Sequence, residues 1–176
     1  FSAAEGGLPS PLVFLSHAAA RTTRISLGTA IITLPMENAV RVAEDAAVLD
    51  ELSGGRLEIG LGSGGNPKSF PAFGTSFDER REVFADNLAT LRTLFSGDRL
   101  PTDHGLYPAP DGQRPSLERR LWQATFSAGG AGAAGAAADG LMLSRTQPRP
   151  QDNPAALLDE VQLPVIDTYL SQLPEG

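Results

Sequence analysis

Four apolar runs, at 24–34, 56–62, 119–125 and 140–144, are each separated from the next by a segment that reads as helix. No other feature constrains the fold as much. Parallel strands need a crossover long enough to hold a helix, so the order β-α-β-α-β-α-β means a parallel sheet. An open doubly wound sheet and a closed (β/α)8 TIM barrel both satisfy that order. A complete barrel needs roughly 250 residues, and the chain has 176. The expectation is an α/β single domain over 1–176 that holds about half a barrel, with no internal repeat.

The individual elements follow from local pattern. SPLVFLSHAAARTTR (10–24) places Leu12, Leu15 and Ala19 at helical spacing, with Ser10 and Pro11 as cap and first turn. RISLGTAIITL (24–34) is β-branched and apolar, which predicts one strand buried on both faces and stopped by Pro35. In ENAVRVAEDAAVLDELSGG, Val42, Ala46, Leu49 and Leu52 share one stripe, and Gly54 with Gly55 ends the helix. RLEIGLG (56–62) is the next strand, and Asn66-Pro67 and Pro71 predict irregular chain after it. Ser76 and Glu79 match a capping box, ahead of a helix bearing Phe84, Leu88, Leu91 and Phe95. Residues 98–118 hold four prolines and no period, so a long loop is expected there. RRLWQAT (119–125) and GLMLS (140–144) flank an Ala/Gly helix of poor propensity, and the tail from Asp152 reads as helix interrupted at Pro164.

Composition excludes several functions. The net charge is −7, which leaves no basic stripe for nucleic acid. There is no cysteine, hence no disulfide, thiolate metal site or cysteine nucleophile, which is compatible with a cytoplasmic protein. No apolar run approaches the ~20 residues that cross a bilayer, so no membrane association is expected. The amino terminus does not read as a signal peptide, and a first residue other than Met suggests that the chain begins inside a longer protein.

Residues 60–65, GLGSGG, fit the G-x-G-x-x-G spacing of a dinucleotide-binding turn. That turn requires the third glycine to open a helix. Asn66-Pro67 and Pro71 follow instead, and no acidic residue ends a strand ~20 positions later as ribose recognition requires. The glycines have a different use. They leave the carboxyl end of a parallel strand, where barrels keep their active sites, and their missing side chains let a flat ligand approach. Ser127 follows strand 119–125 and opens a Gly/Ala helix, so it is either a plain N-cap or part of an anion site made with the N–H groups of 127–130.

Other chemical candidates are weaker. His17 and His104 lack a metal-ligand partner at helical spacing, so no metal site is expected. Glu37, Glu44, Asp45, Asp50 and Glu51 are expected on a solvated helix face, and Trp122 in the core. Neither the G-x-S-x-G elbow nor a phosphate loop with GK[ST] is present.

Four motifs in order resemble the bacterial luciferase-like flavin monooxygenase family: LGTAxxxLP, RxAEDAAxLDxLSGGR, the GxGxGG strand end and FxxFGTxFxxR. LWQATFSAGGAG and DGLML are similar to that family's next strand, phosphate turn and strand, and EVQLPVIDTYLSQLP is a looser match. The resemblance covers about residues 10–143. It implies strands 3–6 of a luciferase-like (β/α)8 barrel, a homodimer, and reduced FMN across the strand ends, supplied by a separate flavin reductase. It also implies activation of O2 to oxygenate a small organic substrate. F420-dependent hydride transfer on the same barrel is the alternative, and a non-catalytic truncated module for flavin binding or subunit association is a third.

Carried over residue by residue, the resemblance implies a cis peptide at Ala30–Ile31 under the flavin ring. It places Gly62, Ser63, Gly64 and Gly65 along the ring, and Thr125, Phe126, Ser127, Gly129 and Gly130 around the phosphate. Gly62 stands where light-emitting members have a reactive cysteine, and Ser63 where they have a phosphate-binding arginine. Both departures speak against light emission. The histidine that assists oxygen chemistry in the family belongs to an earlier strand, and neither His17 nor His104 matches it, so no catalytic residue is assigned.

Overall fold

In the computed structural model, residues 9–107 and 116–175 are described. Part of the expected loop at 98–118 therefore lies outside the described residues. The chain divides into two compact units, residues 1–120 and 121–176.

Unit one begins with helix α1, Pro11–Arg21, which starts at proline because its fixed φ suits a first helical position whose N–H would be unbonded anyway. Ser10 occupies the cap position but makes no side-chain cap bond, contrary to expectation. Leu15 and Ala19 are buried, and Leu12 is only half-buried. The expected strand 24–34 forms as two short pieces, β1 (Leu27–Gly28) and β2 (Ile32–Thr33). Both pair in parallel with β3, Leu57–Gly62. Leu27 faces Leu57 and Ile32 faces Leu61, so the first strand carries one residue more than its partner across the interval. This is a bulge, and the local pattern of β-branched residues could not reveal it. The Thr29 hydroxyl fills the gap, donating to Gly60 O at 2.8 Å and accepting from Gly60 N at 2.9 Å. The Ala30–Ile31 peptide bond within the bulge is cis. Burial alternates along the run, with Ile25, Gly28 and Ala30 exposed, so it is not covered on both faces.

Helix α2, Ala39–Ser53, follows a short 3-10 turn at Leu34–Met36. Asn38 caps it by accepting from Arg41 N, and Gly54 ends it at φ 70°. Val42, Ala46 and Leu49 are buried as the stripe predicts, but Leu52 is exposed. Asp50 also departs from the expected solvated face. It is buried at the last turn, where it accepts from Leu57 N and from both terminal nitrogens of Arg120, at 2.8 and 2.7 Å. The side chains of the pair are each 12% exposed, so removing either partner alone would cost about 3–5 kcal/mol. Arg56 closes the corner by donating to the carbonyls of Ala19, Thr22, Ile25 and Ser53. The LSGGR motif thus ends one helix with its glycines and ties down the end of another with its arginine.

After β3 the chain makes a 3-10 turn, Pro67–Phe73, where irregular chain was expected. It suits the prolines because Asn66 accepts from Lys68 N and starts the turn. Helix α3, Arg80–Phe95, is not opened by a capping box: Ser76 accepts from Asp78 N, and Glu79 makes no side-chain cap bond. Leu91, Leu94 and Phe95 are buried, while Phe84 and Leu88 are half-buried.

In unit two, β4 (Leu121–Ala124) pairs in parallel with β5 (Gly140–Met142), with Trp122 opposite Gly140. Arg119 and Arg120, expected in this strand, lie instead in a 3-10 turn at Leu117–Arg120. Trp122 is 37% exposed, which corrects the expected core position. Its indole lies where a Cβ at Gly140 would be, so this glycine accommodates the ring. Helix α4, Ala128–Ala136, forms despite its glycines because it packs closely on α5, Leu158–Gln172. A Cβ at Gly135 would meet the Tyr169 carbonyl oxygen. α5 continues through Pro164 without the predicted interruption, at the loss of one main-chain hydrogen bond.

Candidate functional site

The predicted site residues fall in two strand-end turns, one in each unit, built on opposite principles.

In unit one, Gly62 is the last residue of β3 and is buried opposite Thr33. Ser63 and Gly64 are half-buried and Gly65 is exposed. Gly64 adopts φ 81°, a conformation that glycine takes without steric cost. A Cβ there would lie 2.7 Å from the Thr33 methyl and 3.0 Å from the Phe70 ring. Phe70 is fully buried and meets Phe77 edge-to-face at 5.2 Å, and the Arg80 guanidinium lies 3.7 Å over Phe77. The three motif residues Phe70, Phe77 and Arg80 therefore brace the glycine turn from beneath. Gly65 has nothing within 4 Å of its Cβ position, so the end of the turn is open. Ala30 is exposed and Ile31 half-buried, immediately before β2. Apart from Ser63, the turn carries no side chain.

In unit two, hydrogen bonds order the turn. Ser127 N donates to Thr125 Oγ1 at 3.1 Å, and Ser127 Oγ accepts from Gly130 N at 3.2 Å. The hydroxyls of Thr125 and Ser127 are 3.3 Å apart. Gly130 lets Thr125 sit against the first turn of α4, since a Cβ there would overlap the threonine hydroxyl. Ala128 and Gly129 begin α4, so their N–H groups have no carbonyl four residues back to bond. Gly129 is open above its Cβ position, while Phe126 and Ser127 are exposed. This turn presents hydrogen-bond donors and the positive end of a helix dipole.

A residue that sequence reasoning missed adjoins this turn. Gln147 donates from Nε2 to Phe126 O at 2.9 Å and is only 5% exposed, yet its Oε1 has no hydrogen-bond partner among the described residues. The signal available was position, a polar residue five places after the end of β5. An N–H-lined turn beside a buried acceptor awaiting a donor fits a phosphorylated ligand that also carries hydroxyl groups.

The remaining candidates do not join these turns. His17 is exposed on α1. His104 lies beside Glu44 of α2, with Nε2 and Oε1 3.4 Å apart. Glu44 and Asp45 both pair with Arg41. Burial, and secondarily the Asp45 charge, hold the Glu37 carboxyl above its ordinary pKa. Among the described residues no three potential metal ligands cluster, and no helix is long and apolar enough to cross a membrane.

Comparison with known proteins adds independent evidence. The luciferase-like monooxygenase family profile matches residues 1–162. The 4-hydroxyprotoasukamycin monooxygenase of Streptomyces nodosus is 38% identical over 97 residues, covering 55% of this chain and 26% of that one. An F420-dependent glucose-6-phosphate dehydrogenase of Kineococcus radiotolerans is 32% identical over 143 residues, covering 77% and 42%. The oxygenating constituent of 3,6-diketocamphane monooxygenase from Pseudomonas putida, solved with FMN, superposes with a TM-score of 0.72 at 14% identity, over 96% of this chain and 50% of that one. The chain thus spans half or less of the length of these proteins. The likeness establishes the fold that the family resemblance implied, an α/β chain of the luciferase-like barrel type at about half its length, and decides against the open doubly wound sheet that the element order also allowed.

Proposed function

We propose that this chain, which belongs to the luciferase-like monooxygenase family, is the cofactor-binding part of an FMN-dependent monooxygenase that oxygenates a small organic substrate. The observation that carries the proposal is the Thr125–Gly130 turn. Ser127 orders it, Gly130 lets it close, and Ala128 and Gly129 offer N–H groups with no intrahelical acceptor. Such a turn suits a phosphate monoester. Gly62, Ser63, Gly64 and Gly65 would line the flavin ring, with Ala30 and Ile31 as its support. Thr125, Phe126, Ser127, Gly129 and Gly130 would surround the phosphate.

When bound, reduced FMN would supply the chemistry of oxygen activation. The task of these residues is to bind, orient and exclude water. Apart from Ser63 the glycine turn has no side chain to intrude on a flat ring, and Phe70 and Phe77 brace it from beneath. Among the described residues of the first unit no histidine or carboxylate is placed in this turn, so no acid or base of the reaction is assigned there. A flavin reductase, O2 and a second copy of the chain complete the proposed set of partners, in the cytoplasm.

A second reading has its own support. The match to the F420-dependent dehydrogenase extends over 143 residues, against 97 for the monooxygenase. Under this reading the same turns hold the phosphate and ring of a deazaflavin for hydride transfer. Fluorescence titration with FMN and with F420, followed by oxygen uptake in the presence of reduced FMN and a reductase, tests both. Uptake coupled to substrate oxygenation supports the monooxygenase. Tight F420 binding with no coupled uptake overturns it in favour of the dehydrogenase.

A further inference from the structure

We propose that Gln147 is a ligand-binding residue whose buried Oε1 accepts a hydrogen bond from a hydroxyl of the polyol chain between the ring and phosphate of a flavin-type cofactor. The inference rests on the cofactor reading above and extends it to a residue that no motif assigns. Phe126 O can only accept, so the carboxamide must turn its nitrogen toward that carbonyl, which it does at 2.9 Å. The oxygen, on the other branch of the same carboxamide, has no donor among the described residues. Buried polar atoms are nearly always paired, so an orphan acceptor calls for a ligand or a donor from outside the chain.

The orphan does not come from a slack segment. Gln147 N donates to Ser144 O at 3.2 Å, and Arg149 donates to Gln147 O at 2.7 Å. Arg149 is itself held by Ala156 O at 2.7 Å. Ser144 Oγ accepts from Thr146 N at 3.1 Å and lies 2.9 Å from the Thr146 hydroxyl. Gln147 is thus tied by its main chain and by Nε2, leaving one acceptor set in advance. The turn it touches through Phe126 is the one that opens at Thr125 and caps α4 at Ser127. A group bound there needs N–H donors for its anionic end and, one step away, an acceptor for a neutral hydroxyl. A phosphorylated polyol has both features in that order.

The test compares riboflavin, which has the polyol, with lumiflavin, which has a methyl group in its place. Titrations of the chain, of Gln147→Met and of Gln147→Glu, followed by flavin fluorescence, give the affinity gap between the two compounds. The corresponding 5-deaza compounds serve the F420 reading. The parent is expected to bind riboflavin about tenfold tighter than lumiflavin, as one hydrogen bond to a buried acceptor allows. Gln147→Met should abolish the gap and leave lumiflavin affinity unchanged. Gln147→Glu, which keeps an acceptor but loses the donor to Phe126 O, should retain it. An unchanged gap in Gln147→Met overturns the proposal. So does its equal loss in both variants, which would make Gln147 a support for the Phe126 carbonyl alone. If neither flavin nor deazaflavin compounds bind the parent, the cofactor reading fails and this assignment with it. Binding with an unaltered gap removes only Gln147.

Discussion

The two strand-end turns differ in what they withhold. At Gly62–Gly65 the sequence withholds side chains, and the turn is shaped by what packs beneath it: Thr33, Phe70 and Phe77. At Thr125–Gly130 it withholds partners, since hydroxyls order the loop while two main-chain N–H groups stay open. One surface suits a flat ring by shape, and the other suits an anion by charge and hydrogen bonding. A glycine-rich string therefore does not have a single meaning. In the first turn a glycine avoids overlap at positive φ, and in the second Gly130 makes room for a neighbour's hydroxyl.

This contrast can be broken at the first turn with one methyl group. Gly64→Ala forces a positive φ on a non-glycine residue and drives Cβ against Thr33 and Phe70. Strain and overlap together predict a loss of about 3 kcal/mol in denaturant unfolding. A neutral result would mean that the turn is not set by packing. At the second turn, Ser127→Ala removes the cap of α4 and should cost about 1 kcal/mol of stability. It should also weaken FMN about tenfold while riboflavin, lacking the phosphate, stays within about twofold in the same titration.

Gly65→Ala sharpens the contrast from the other side. With nothing within 4 Å of its Cβ position, the change should move stability by less than about 0.5 kcal/mol. It should weaken FMN and riboflavin equally, because it intrudes on the ring and not on the phosphate. Unequal weakening would place the phosphate at this turn.

The smallest effect concerns Glu37, on the residue after the 3-10 turn at the end of β2. Its folded-state pKa is raised by burial and then by Asp45, so the folded chain holds this proton more tightly than the unfolded one. Its contribution to stability is therefore full at pH below the usual carboxylate range and is lost as pH rises through the folded value. Glu37→Gln should raise Tm slightly at neutral pH and lose that advantage in acid. The Glu37 side chain is only partly covered and still meets solvent, so screening keeps the effect on Tm small. A lower Tm at neutral pH would contradict the sign.

The order of elements and the positions of both turns were legible because each rests on a local pattern: β-branched runs, the Ser127 cap, a terminating glycine pair. What escaped was non-local. The bulge between β1 and β2 depends on Thr29 reaching Gly60, thirty-one positions later. Asp50 reads as one more helix carboxylate until Arg120, seventy positions on, buries it. Pro164 and Ser76 failed for a related reason. Packing on α4 carries α5 through a proline, and a hydroxyl with the right spacing served a nearer N–H instead. Gln147 was invisible because its significance is a missing partner, which no sequence pattern records.

The central claim is that the turn at Thr125–Gly130 binds a phosphate. The most direct test is the ratio of FMN to riboflavin affinity in the unmodified chain, measured by fluorescence titration at one fixed salt concentration. FMN is expected to bind at least about tenfold tighter, since the phosphate adds charge-assisted hydrogen bonds that riboflavin cannot make. Equal affinities for the two would contradict it.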